Sequence, residues 1–113
     1  MPKEFIFLRE YKLKEEIVWE YSCHLLFNRK EINQIIITDY IWKKKGREMI
    51  TKELVCKLIG KLNKKRLWPT KYSGFRKPFR FETTYEEKKY RLIFWFDDNN
   101  SHGLWIKNCF RID

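Results

Sequence analysis

No Gly-rich phosphate loop, no Cys-x-x-Cys pair, no His-x-x-x-His and no Gly-x-Ser-x-Gly occurs anywhere in these 113 residues. Each absence removes a chemistry: nucleotide hydrolysis, zinc catalysis and hydrolase-type nucleophilic attack are all disfavoured. His24 and His102 are the only histidines, too few for a two-histidine acid–base site unless the fold joins them. His24 lies in an apolar segment, which suits a structural role. His102 lies in a turn, where polar residues are favoured for local reasons. The three cysteines, Cys23, Cys56 and Cys109, are odd in number, far apart and set in apolar sequence. They read as reduced core residues of a cytoplasmic protein and not as a disulfide framework or a zinc site. No metal and no cofactor is expected. After Met1-Pro2-Lys3-Glu4 only the short apolar run Phe5 to Leu8 follows, so neither a signal peptide nor a membrane span is expected, and no membrane partner.

What the chain does contain is charge and rings. Twenty-five Lys and Arg stand against fifteen Asp and Glu, a net +10 with an isoelectric point near 9.6. Self-repulsion of that size fits a polyanionic partner. A lysine-rich genome could write such a composition without one, but the charges cluster. Lys43, Lys44, Lys45 and Arg47 precede an expected helix, Lys64, Lys65 and Arg66 follow it, and Arg76, Lys77 and Arg80 come soon after. Hydrophobic residues make up 43% of the chain and aromatics 18%, which excludes a disordered tail and provides for one core. Residues 1–113 are expected to form a single domain.

Pattern divides the chain into three parts. Residues 1–37 are ambiguous. Ile17, Trp19, Tyr21, Cys23, Leu25 and Phe27 recur with a strand's period of two, Asn28-Arg29-Lys30 can turn the chain, and a second strand can end in Ile35-Ile36-Ile37. A helix over 13–27, with Leu13, Ile17, Val18, Tyr21 and Leu25 on one face, is the rival. Residues 38–66 read as helical. Thr38 and Asp39 can cap a short helix ending at Gly46, and Thr51 can cap a second, with Glu53 in its first turn and an apolar stripe of Leu54, Val55, Leu58, Ile59 and Leu62. Residues 79–112 alternate as an antiparallel meander, broken by turns at Glu86–Lys89 and Asp97–Gly103. The expected class is α+β: helices packed on a twisted antiparallel sheet with a C-terminal three-stranded meander.

Two regions invite function. Leu67 to Arg80 interleaves Trp68, Tyr72, Phe75 and Phe79 with Lys71, Arg76, Lys77 and Arg80 between two prolines, a composition suited to stacking unpaired bases while cations hold phosphates. The same aromatics could instead plug the side of the core. On the sheet, alternation places Arg80, Glu82 and Thr84 on one side of a strand, Arg91, Ile93 and Trp95 on one side of the next, and Trp105, Lys107, Cys109 and Arg111 on one side of the last. A cation such as Arg91 in an apolar central strand must pair with an acid such as Glu82 or open to a ligand.

The helices followed by an antiparallel sheet, with Lys89-Tyr90-Arg91-Leu92-Ile93-Phe94-Trp95-Phe96-Asp97-Asp98, a turn, an apolar strand and an Arg, resemble the RelE/ParE-type toxin superfamily over residues 35–112. That group belongs to the barnase–EndoU–colicin–RelE assembly of small ribonucleases. The resemblance implies RNA cleavage without a metal. Arg80 and Arg91 would stabilise the phosphorane charge, Lys107 and Arg111 would do the same or act as acid, and Tyr72, Tyr85 or His102 would transfer protons. It also implies an acidic antitoxin partner. The chain departs from the pattern in an extra N-terminal segment of some thirty residues and in lacking a C-terminal histidine, which puts catalysis in question more than fold. The expected function is therefore a basic RNA-binding protein, a metal-independent endoribonuclease toxin of a toxin–antitoxin pair. RNA is favoured over DNA as partner. Two alternatives stand beside it: a non-catalytic nucleic-acid-binding module, and a phage-type inhibitor that binds a host enzyme. The residues expected to contact nucleic acid are Lys43, Lys44, Lys45, Arg47, Lys64, Lys65, Arg66, Trp68, Lys71, Tyr72, Arg76 and Lys77.

Overall fold

β-Branched and aromatic residues dominate the runs on either side of residues 39–78, and both runs become sheet. The computed structural model describes residues 5–70 and 77–113. Six strands, β1 (Ile6–Leu13), β2 (Glu16–Phe27), β3 (Lys30–Thr38), β4 (Phe79–Tyr85), β5 (Lys88–Asp97) and β6 (Asn100–Arg111), form one sheet in the order β1-β2-β3-β6-β5-β4. The first three and the last three are each an antiparallel hairpin series, and the two series meet where β3 pairs parallel with β6, Gln34 beside Gly103 through Ile37 beside Ile106.

This corrects the α+β expectation of helices on an antiparallel sheet. Of the described residues 57% are strand and 14% helical, so the protein is mainly β, and its sheet is mixed. Two physical causes account for the difference. Residues 16–27 and 30–38 form strands, as the period of two favours over the rival helix, and they join the C-terminal meander in one sheet instead of standing apart from it. The helix expected from Thr38 to Gly46 shrinks to a 3-10 helix over Asp39–Lys43. Thr38 makes no side-chain cap there and its hydroxyl has no partner, and three successive lysines with a left-handed Gly46 (φ 82°) turn the chain away.

α1 (Lys52–Gly60) is the one α-helix among the described residues. Thr51 caps it, its hydroxyl accepting from the Leu54 amide at 3.0 Å, and Glu53 occupies the first turn. Val55, Cys56, Leu58 and Ile59 are buried in one cluster with Ile35, Ile37, Leu92, Phe94 and Ile106. Phe27 anchors the far end of that cluster against Phe79 and Phe94, with ring centroids 5.2 and 5.5 Å away. Among the described residues no helix is long and apolar enough to cross a membrane.

The covered face of β4, β5 and β6 carries Phe79, Phe81, Leu92, Phe94, Leu104 and Ile106. The second face carries Arg80, Glu82, Arg91, Ile93, Trp95 and Trp105. A bulge at Phe94 and Ile93, which face Ile106 and Asn108, loops Lys107 out and inverts the alternation of β6. Past it, Phe110 joins the second face opposite Arg91, and Cys109 and Arg111 turn to the covered side opposite Leu92 and Tyr90. Lys107 and Arg111 therefore do not share a face with each other and Trp105, as strict alternation predicts.

Candidate nucleic-acid interface

The cations singled out from sequence separate into two groups at opposite ends of the sheet. The first gathers where β3 ends and the 39–50 segment runs beside the last residues of β6. Lys107 Nζ lies 3.6 Å from the centre of the Tyr40 ring and Lys44 Nζ 5.3 Å from it. The guanidiniums of Arg47 and Arg91 stand 4.9 and 5.6 Å from the Phe110 ring. Rings hold these four cations in place at ~0.5–1 kcal/mol each, leaving their charge largely uncompensated. Arg91 is the exception, because Glu82 on β4 accepts from its Nε at 2.7 Å. That is the pairing a cation in a central strand requires. Arg80, exposed on the same face two residues along β4, lies opposite Ile93. Lys43 reaches Asp39 at 3.8 Å and the Glu15 carbonyl at 3.2 Å, and Lys45 is exposed. Among the described residues, three buried polar atoms without a hydrogen bond belong to this junction: Thr38 Oγ1, Arg47 Nε and Asp39 Oδ1, the last within ion-pair distance of Lys43.

The second group is built by the β2–β3 turn. Asn28 and Arg29 take left-handed backbone (φ 52° and 63°), and the Asn28 side chain clasps the backbone of Leu67. Its Oδ1 accepts from Leu67 N at 2.8 Å and its Nδ2 donates to Leu67 O at 3.1 Å. Lys64 donates its amide to Leu26 O and Asn28 donates its own to Lys65 O, so residues 64–67 are tied along the turn. Beside the clasp is a cleft of about 510 Å3 lined by Asn28 and Arg29 of the turn, by Arg66, Leu67, Trp68 and Pro69, and by the buried ring of Phe79. Trp68 is 87% exposed. Lys30, next to Arg29, lies 4.9 Å from the Phe96 ring, and Lys77 is exposed. Lys71, Tyr72 and Arg76 lie outside the described residues.

Compared with protein-family models, curated proteins and solved structures, the chain matches none.

The residues expected to act in catalysis are not brought together. Arg80 and Arg91 share the second face, but Arg111 lies on the covered side and binds Asp113 at 2.6 Å. Tyr85 is also on the covered side, with Lys57 and Lys61 5.7 and 5.9 Å from its ring. His102 lies near the opposite end of β6, its Nδ1 2.9 Å from the Glu31 carbonyl oxygen. Of the three named proton-transfer candidates, Tyr85 and His102 are thus remote from the arginines, and Tyr72 lies outside the described residues. Among the described residues no group of three or more His, Cys, Asp or Glu could hold a metal ion.

Sequence reasoning missed a third cluster, also on the second face. Glu20, 6% exposed, accepts from Arg9 at 2.8 and 3.2 Å and from the Tyr11 hydroxyl at 2.9 Å. The Arg9 guanidinium holds the Glu20 carboxyl below its ordinary value. Burial pushes the Asp97 carboxyl the other way, helped by the nearby charges of Asp98 and Glu20. All the oxygens of Glu20 are satisfied within the protein, so this cluster fastens β1 to β2. No sequence signal marks it, because it depends on the register of a strand pair across a bulge at Leu8. Tyr40 and Phe110 were missed for a similar reason: their role as platforms depends on the β6 bulge, which sets Phe110 opposite Arg91 and loops out Lys107, whose Nζ meets the Tyr40 ring.

Proposed function

We propose that this protein binds single-stranded RNA as a non-catalytic module of the cytoplasm. The observation that carries the reading is the array of Lys44, Lys107, Arg47 and Arg91 on Tyr40 and Phe110, where, among the described residues, the ion pair of Arg91 with Glu82 is the one acidic contact that these four cations make. Such an array suits phosphate oxygens, which need fixed positive charge and accept several geometries. The three free thiols fit a reducing compartment. The reading stops at binding because neither Tyr85 nor His102 stands with Arg80 and Arg91. The RelE/ParE-type resemblance still proposes scission, and the same experiment scores it.

The test is a titration of labelled single-stranded RNA followed by anisotropy across a range of salt, with a denaturing gel of the same samples. Affinity should fall with salt, and each of Lys44→Ala and Lys107→Ala should flatten the log–log slope by about 0.7, the counterion release per phosphate of a single strand. A slope that neither variant changes, or an affinity indifferent to salt, refutes the reading. Intact RNA agrees with it. Specific cleavage abolished by Arg91→Ala would replace it with the ribonuclease toxin.

One feature favours a protein partner as a second reading. β1 is an edge strand, and Ile6, Phe7 and Leu8 on it are 60%, 52% and 53% exposed. An acidic antitoxin or a host enzyme could add a strand there. Recovery of one stoichiometric protein by the wild type, and loss of that protein with Phe7→Lys, would support it.

A further inference from the structure

We propose that the cleft beside Trp68 is a seat for one unpaired base of a single-stranded RNA. The proposal rests on the RNA-binding reading above and adds to it a preference for single strands over duplex.

Three observations lead to it. The first is exposure. Trp68, at 87%, is the most exposed of the large apolar side chains described, although the core could use an indole well. An aromatic face left in water beside a cleft is available for stacking, and a tryptophan gives up few rotamers when it does so. The second is the chemistry of the walls. Leu67, Trp68, Pro69 and Phe79 are apolar, Arg29 and Arg66 are cationic, and among the described residues no acid lines the cleft. A ligand that fits is planar and apolar on its faces and anionic along one edge. An apolar peptide would leave both guanidiniums unanswered. A base pair inside a duplex presents its edges and not its face, so the ligand must be unstacked.

The third is rigidity. The Asn28 clasp on Leu67 and the Lys64–Leu26 and Asn28–Lys65 backbone bonds fix the two walls before any ligand arrives. Little ordering is then needed on binding. The size, about 510 Å3, falls within the ~300–1,000 Å3 of small-ligand sites. The cleft lies at the β2–β3 turn end of the sheet and the Tyr40–Phe110 array at the end where β3 stops. A strand held by both would have to run along the sheet edge or around it, contacting phosphates at one end and a base at the other.

The experiment compares wild type, Trp68→Ala, Trp68→Phe and Arg66→Ala in anisotropy titrations against a short mixed-sequence RNA strand and against its duplex. Trp68→Ala should weaken single-strand binding about 5- to 150-fold, the loss of one base–aromatic stack, and leave duplex binding unchanged. Trp68→Phe should recover most of the loss. Arg66→Ala should weaken single-strand binding and reduce its salt dependence. Because Trp68 is exposed, unchanged circular dichroism melts are expected for both of its variants. Single-strand affinity within twofold of wild type for Trp68→Ala overturns the proposal, as does an equal loss on strand and duplex. If wild type binds RNA with a salt slope that Lys44→Ala reduces while Trp68→Ala changes nothing, the base seat alone falls. If wild type binds no RNA, both readings fall together.

Discussion

Replacing Asn28 tests whether one side chain assembles the Trp68 cleft. In the folded protein its amide spans two backbone groups of Leu67, 39 residues away, at 2.8 and 3.1 Å. Each such bond contributes ~0.5–1.5 kcal/mol net, so losing both costs about 1–3 kcal/mol. Alanine adds up to ~1 kcal/mol for a Cβ in the left-handed region, which asparagine tolerates better through local hydrogen bonding. Asn28→Ala should therefore lose about 1–4 kcal/mol. Asn28→Gly escapes the left-handed cost but gains unfolded-state entropy of ~0.5–1 kcal/mol, so it should fall within about 1 kcal/mol of alanine. With an m-value of ~1–3 kcal/mol/M, the urea midpoint of either variant should drop by roughly 1–2 M. Equilibrium urea unfolding followed by tryptophan emission and far-ultraviolet circular dichroism reads both. A midpoint within about 0.2 M of wild type for both variants refutes the clasp. A full drop in stability with undiminished single-strand RNA binding refutes its link to the cleft.

Other perturbations give equally definite outcomes. Glu20 has a folded pKa held below its unfolded value by Arg9, so its share of stability is complete above pH ~4.3 and is lost as pH falls through the folded value. Glu20→Gln should flatten the acid limb of a stability–pH curve measured by thermal melts. Asp97 has the opposite sign, its folded pKa being raised by burial. Its contribution is present below pH ~3.9 and is lost as pH rises through the folded value, and Asp97→Asn should raise the melting temperature at neutral pH and leave it unchanged at pH 3. Burial pushes the thiols of Cys23, Cys56 and Cys109 up to about 12. A disulfide reagent at pH 8 should react slowly with all three in the native protein and at once in urea. Phe94→Ala, at a fully buried ring packed on Phe27 and Phe79, should cost about 3–5 kcal/mol.

Legibility in the sequence followed the range of the interactions. The Thr51 cap and the stripe of Val55, Leu58 and Ile59 arise within one helix, and a period of 3.6 reveals them. Strand β4 shows itself through Phe79 and Phe81 alternating with Arg80 and Glu82. The strands favoured for 17–37 formed, but the class was misread because the helical share of 38–66 was overestimated and nothing local shows that the N-terminal strands join the C-terminal meander in one mixed sheet. β1 left almost no trace, since an edge strand whose residues are exposed or half-exposed has no apolar side to alternate. The β6 bulge inverted the faces of Cys109 and Arg111, and one inserted residue does that without any compositional mark. For the site, Trp68 and Arg66 were visible as a ring among cations. Their partners Asn28 and Arg29 were not, because they arrive from a turn almost forty residues earlier. Phe79, open between stacking on bases and plugging the core, is 3% exposed and takes the second place.

The parallel seam between β3 and β6 has a consequence for how the chain leaves the ribosome. Gln34 and Gly103, which begin it, are separated by 69 residues, and no hairpin brings them together. β1, β2 and β3 can pair as soon as they emerge, whereas the edge of Ile35, Ile36 and Ile37 waits until Leu104 to Ile106 have been translated. Through most of synthesis the nascent protein therefore carries an unpaired strand of three consecutive isoleucines, an edge on which another nascent copy could add. The long loop that must close before this seam forms makes its docking a late and slow event. Truncation before residue 104 would leave that edge permanently bare, and the shortened chain should aggregate although its first three strands are intact.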